Sequence, residues 1–245
     1  MNLYNYAGEK IQYAHSCEGK TLVMFGDSIA NPSGGETLGV TQKPGWWTGL
    51  YYATKTCLYL GFGAIDNRGY SGSNIYWNNG TYGGENAGIS RLHAWLQEVE
   101  NEEVDPNNCV VTITFGSNQV LSKIGTINDE MSDTYTENQT LYSAMKYFIT
   151  KLRDVQKDYP EFSFGFVLPP YQNTFVIDST RDVSAARQAM LNILTTNDWM
   201  CPYCDMWTES GLNPTILPDQ VHPSNEQSQY LYLKPYCDFV RKISL

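Results

Sequence analysis

Basic residues are scarce in this chain: 16 Lys and Arg stand against 26 Asp and Glu, the net charge is −10, and no Lys/Arg cluster relieves the deficit. An acidic surface repels phosphate backbones, which removes nucleic acid from the expected partners. Long apolar runs are missing too, and none approaches the roughly 20 residues that span a bilayer. The opening MNLYNYAGEKIQYAHS lacks the basic start and apolar stretch of a secretion leader. Localisation is left open between the cytoplasm and an extracellular or virion setting within a larger protein. Six cysteines are too few for a disulfide scaffold in 245 residues. Cys57, Cys109 and Cys237 lie in apolar contexts and read as small core residues. Cys201-Pro-Tyr-Cys204 has redox-dithiol spacing but leads into a strand-like segment, and no second pair completes a zinc site. It reads as two structural cysteines or an incidental disulfide. Histidine is rarest, with three copies.

What is present is an alternation of short apolar runs with longer helical patterns. The runs predict strands at 21–25, 61–67, 109–115, 162–168 and 204–208. Helices are expected at 45–57 after Pro44, at 87–100 with Ile89, Leu92, Trp95 and Val99 on one face, at 140–160, at 183–197 and at 224–243. Pro235 should kink or restart the last of these. Five strands alternating with five helices imply one α/β domain over residues 1–245, a three-layer α/β/α sandwich with a central five-stranded parallel sheet. Residues 1–20 form an N-terminal extension to it. Ligands of such sheets bind beyond the C-terminal strand ends.

The strand ends are where the chemistry collects. Gly26-Asp27-Ser28 follows the first strand, Asn67-Arg68-Gly69-Tyr70-Ser71-Gly72-Ser73 the second and Gly116-Ser117-Asn118 the third, while Asp219-Gln220-Val221-His222 precedes the final helix. A serine hydroxyl becomes nucleophilic when an imidazole takes its proton, and a carboxylate fixes the tautomer of that imidazole. His15 lies in a polar stretch and His93 on a helix as a surface or boundary residue; His222 alone has an acid, Asp219, three positions before it. An acyl-transfer site also needs donors for the oxyanion. The N–H of Ser28, the N–H of Gly72 and the side-chain amide of Asn118 are the candidates.

These blocks resemble the SGNH hydrolases, the GDSL esterase/lipase superfamily, and the resemblance covers nearly the whole chain. Gly26-Asp27-Ser28, Gly72, Gly116-Ser117-Asn118 and Asp219-Gln220-Val221-His222 match its first, second, third and fifth blocks. The stretch LYSAMKYFITKLRDVQKDYP followed by FSFGFVLPP is similar to the long helix and fourth strand of its smaller bacterial and phage-associated members. The resemblance implies a flavodoxin-like sheet and a serine esterase with the triad Ser28, His222, Asp219. It also implies an oxyanion hole of Ser28, Gly72 and Asn118, and no metal or organic cofactor. Gln119 departs from the acidic residue common at that position, and Ile29 from the common Leu. An α/β-hydrolase elbow, mimicked by Gly26-x-Ser28-x-Ala30, is rejected because that fold places its serine mid-chain and draws Asp and His from separate loops.

The substrate rests on thinner signals. The chain is rich in Tyr (18) and carries 6 Trp, and YWNNGTYGGEN at 76–86 reads either as flat faces and amides for a sugar or as a polar loop with half-buried rings. With Tyr135 and Tyr171-Gln172-Asn173, it favours a small acyl group, acetyl, on carbohydrate over lipid hydrolysis. Loops 119–137 and 169–182 are expected to shape the pocket. Alternatives are a lipase or thioesterase of the same superfamily, or a glycan-binding module without turnover. Oligomeric state is not legible.

Overall fold

The computed structural model describes residues 3–4, 10–11, 17–31, 56, 59–80, 83–174 and 178–245. The helix expected at 45–57, apart from Thr56, and its Cys57 lie outside them, as do His15 and most of the extension. Two short strands, β1 (Leu3–Tyr4) and β2 (Lys10–Ile11), pair antiparallel. The main sheet comprises β3 (Thr21–Gly26), β4 (Ala64–Gly69), β5 (Cys109–Thr114), β6 (Ser163–Leu168) and β7 (Tyr203–Asp205).

Along β3, Leu22 and Met24 belong to one apolar cluster and Val23 and Phe25 to another. A strand with core on both faces has no polar side, which is why TLVMF is uninterrupted in sequence. The helices supply the covers: α1 (Gly88–Glu100), α2 (Leu141–Asp158) and α3 (Val183–Leu194) bury Trp95, Phe148 and Met190 in one cluster. After the short α4 (Met206–Glu209), α5 (Glu226–Ile243) buries Tyr232, Tyr236 and Val240 in the other. The predicted stripe of α1 holds, since Ile89, Leu92, Trp95 and Val99 are all buried. Thr140 and Asn225 close capping boxes with Ser143 and Ser228 at the starts of α2 and α5.

Four expectations shift: β4 runs over Ala64–Gly69 rather than 61–67, so Asn67, Arg68 and Gly69 belong to the strand and do not follow it. The last strand ends at Asp205, because Glu209 reaches back to accept the Asp205 N–H at 2.8 Å and closes the turn of α4 over residues expected to be strand. Of the two outcomes expected at Pro235, the restart does not occur, since α5 runs through it. The third helix stops at Leu194, and residues 197–199 form a separate 3-10 turn. Cys109, Cys201, Cys204 and Cys237 are buried as expected. Cys201 and Cys204 form no disulfide. Burial pushes the Cys201 thiol up to about 11 and Cys204 higher still, the opposite of a reactive dithiol.

The strand order is β4-β3-β5-β6-β7, all parallel. The chain therefore steps outward from β3 to β4 and then back across to β5. At such a reversal the loops leaving β3 and β5 diverge to opposite faces and open a crevice. Ser28 and Asn118 follow those two strands.

Candidate active site

The loop after β3 turns at once. Gly26 is required there because a Cβ would lie 2.3 Å from Ala30 Cβ and 2.7 Å from the Thr114 carbonyl. The N–H groups of Ala30 and Asn31 donate to the Asp27 carbonyl at 3.2 and 2.9 Å and close the turn around Ser28. The Asp27 carboxylate accepts the Ile29 N–H at 3.0 Å and the Ser117 N–H at 3.2 Å, tying the β3 loop to the β5 loop. Burial raises this carboxyl to about 6, even though both N–H donors and the charges of His222 and Arg91 pull it down.

Across the crevice, His222 Nε2 stands 2.8 Å from Ser28 Oγ and its Nδ1 2.5 Å from Asp219 Oδ2. Four residues, Asp219 to His222, can present both groups together because Gln220 adopts the left-handed conformation, with φ of 65°. Asn173 clips that bend by donating from its backbone N–H to the Gln220 carbonyl and from its side chain to Gln220 Oε1, both at 2.9 Å. Partial burial would raise the Asp219 carboxyl, but the His222 N–H at 2.6 Å, the imidazole and the Val221 N–H at 3.0 Å hold it below the usual carboxylate range. An ionised Asp219 can thus keep Nδ1 protonated and Nε2 open to the serine proton.

The third group sits between them. Gly72 takes a φ of 80°, which a side chain rarely tolerates. Asn118 Nδ2 donates to the carbonyl of the next residue, Ser73, at 3.3 Å, leaving its second proton without a partner among the described residues. The N–H groups of Ser28 and Gly72 likewise donate to nothing among the described residues. The sequence-expected residues Ser28, Asp219 and His222 are therefore bonded in series, and Gly72 and Asn118 adjoin each other through Ser73.

Two arginines that sequence reasoning missed hold these loops. Arg181 Nη1 donates to Asn118 Oδ1 at 2.6 Å, which fixes the amide with its nitrogen toward Ser73. Arg91 lies beneath the site and donates to the Gly26 carbonyl at 3.1 Å, to Ser73 Oγ at 2.8 Å and to the Arg68 carbonyl. It thereby stitches the ends of β3 and β4 to the Gly72 loop. Burial lowers its guanidinium to about 9 against the pull of Asp27. Neither arginine carries a local motif, so no signal in a single sequence marks them.

The aromatic candidates separate. Tyr76 is a core residue, 2% exposed, whose hydroxyl burial pushes up to about 12. Tyr135 stacks on His93 at 4.4 Å, which accounts for that histidine. Tyr82 lies outside the described residues, whereas Tyr171 is exposed. Gln119 is buried, and its carbonyl accepts the Asp182 N–H at 3.3 Å.

The sequence profile of the GDSL-like Lipase/Acylhydrolase family matches residues 22–232. The chain belongs to that family. No curated protein matches it significantly in sequence. Among solved structures, a structural-genomics protein from Lactobacillus plantarum is 16% identical, with a TM-score of 0.64 over 93% of this chain and 99% of that one. A lipase/acylhydrolase from Enterococcus faecalis is 16% identical, with a TM-score of 0.53 over 91% and 96%. Axe2, an acetylxylan esterase from Geobacillus stearothermophilus, is 15% identical, with a TM-score of 0.53 over 94% and 96%. At such identities the likeness concerns the fold: this GDSL-family chain shares the five-stranded parallel sheet with helices of these neighbours. Among the described residues no group of His, Cys, Asp and Glu could hold a metal, and no helix is long and apolar enough to cross a membrane.

Proposed function

We propose that this GDSL-family hydrolase is a serine esterase that removes short acyl groups, acetyl above all, from carbohydrate, through one catalytic domain with residues 1–20 as an extension. The observation that carries it is the series Asp219–His222–Ser28, with contacts of 2.5 and 2.8 Å. Ser28 Oγ attacks the acyl carbon as its proton passes to His222 Nε2. The carbonyl oxygen takes the negative charge and is met by the N–H groups of Ser28 and Gly72 and the Asn118 amide. Collapse expels the sugar oxygen, which leaves with the proton from His222. Water, deprotonated by His222, then attacks the acyl-serine, frees the carboxylic acid and restores Ser28. Asp219 stabilises the imidazolium that forms in each half.

The acyl length is supported by the sequence, which carries no long apolar segment to cover a fatty chain. The carbohydrate assignment is supported by the acetylxylan esterase among the fold's neighbours. The test is hydrolysis of p-nitrophenyl acetate, butyrate and longer esters by wild type and Ser28→Ala. Turnover should favour acetate. Ser28→Ala or His222→Ala should lower kcat by roughly 10³-fold or more, and Asn118→Ala by about 10²–10³. Near-normal turnover by Ser28→Ala would sink the assignment.

A further inference from the structure

A cavity of about 270 Å³ lies between residues 171–174, which follow β6, and the first turn of α3. We propose that it is the subsite for the sugar ring of the acyl ester, an inference that rests on the esterase reading above and deepens it. Its wall is shared with the site: Arg181, which lines it, holds Asn118, and Asn173, which also lines it, clips Gln220 two residues before His222. A molecule seated there touches the residues that hold the Asn118 amide and the loop before His222.

The chemistry of the wall selects the ligand. Gln172 is only 2% exposed, yet neither its Nε2 nor its Oε1 has a partner among the described residues. Buried amides are normally satisfied. Gln172 lines the cavity with both amide atoms shut off from water, so turning that side chain into the cavity would give a ligand hydroxyl an unused donor and an unused acceptor. Beside it Tyr171 stacks on Trp207 at 4.3 Å and stays 44% exposed, presenting flat apolar surface next to the polar groups. A pyranose ring pairs the same two features, C–H bonds on one face and hydroxyls at the rim. An anionic ligand fits worse. Asp182, which caps α3, lies on the wall, and the Arg181 guanidinium already serves Asn118 and Asp178. The volume sits at the small end of ligand sites, so it takes about one ring rather than a long acyl chain.

The experiment compares kcat/KM for peracetylated xylobiose or cellobiose with kcat/KM for p-nitrophenyl acetate, which has no sugar, in wild type, Tyr171→Ala and Gln172→Met. The ratio of sugar ester to p-nitrophenyl ester should fall about tenfold in each variant, through the KM of the sugar ester. Tyr171 is exposed, so its variant keeps the test decisive should Gln172→Met fail to fold. A ratio within twofold of wild type in the folded variants overturns the subsite. So does a wild type that turns over p-nitrophenyl acetate through Ser28 but neither sugar acetate. Turnover of p-nitrophenyl acetate that is independent of Ser28 is a different failure, that of the esterase reading.

Discussion

Asp27 offers a measurement of how strongly the fold constrains the loop that carries Ser28. Its side chain is 1% exposed, and burial lifts its carboxyl from 3.8 to about 6. Between these values the unfolded chain has released the proton that the folded chain still holds, so this group's contribution to stability falls as pH rises. A rise of roughly 2 pH units at ~1.4 kcal/mol each makes the loss about 3 kcal/mol, complete once pH exceeds the folded value. Asp27→Asn keeps the shape and has no proton to lose. The unfolding free energy of wild type minus that of the variant should therefore be largest below about pH 4 and decline by about 3 kcal/mol by about pH 7. Urea denaturation of both proteins at intervals across that range reads the difference directly, and taking the difference cancels the carboxylates that they share. A difference that is flat or rises with pH would show that Asp27 titrates at an ordinary value, and the desolvation argument for the loop would be wrong.

Other outcomes follow from single bonds. Arg181→Met removes the donor 2.6 Å from Asn118 Oδ1, and kcat for p-nitrophenyl acetate should fall about tenfold, the size expected when one charged hydrogen bond no longer orients the proposed oxyanion donor. A kcat equal to wild type would show that Ser73 alone positions the amide. Arg91→Leu removes a charged donor from the Gly26 carbonyl, which keeps the Tyr70 N–H, and from Ser73 Oγ, and should cost about 2 kcal/mol in chemical denaturation as well as activity. Stability unchanged within error would refute its role as the tie between β3, β4 and the Gly72 loop. Thr140→Ala opens the capping box of α2 and should cost about 1 kcal/mol while esterase rates stay level, a control that separates stability from chemistry.

Order along the chain determined a good deal of this protein. Apolar runs such as TLVMF and CVVTITF mark buried strands because a strand with core on both faces cannot alternate with polar residues, and their alternation with helical stripes leaves little choice but a covered parallel sheet. Ser28 and His222 stood out as candidates for a related reason: of three histidines in the chain, only His222 has a carboxylate three positions before it, and Ser28 directly follows a strand. What sequence could not tell concerns partners that meet only after folding. Arg91 bonds Gly26 from 65 positions away and Arg181 bonds Asn118 from 63, and no periodicity links such pairs. Tyr76 and Tyr171 both occur near amides in sequence, yet one is sealed in the core and the other faces water, because burial depends on which distant segments pack against each ring. Likewise the Glu209 carboxylate turned an expected strand into helix at Met206, a choice made by one side-chain bond. Local pattern specified the layers and the reactive groups; only their packing decided how those groups are aimed, because aim depends on contacts between segments that the sequence keeps apart.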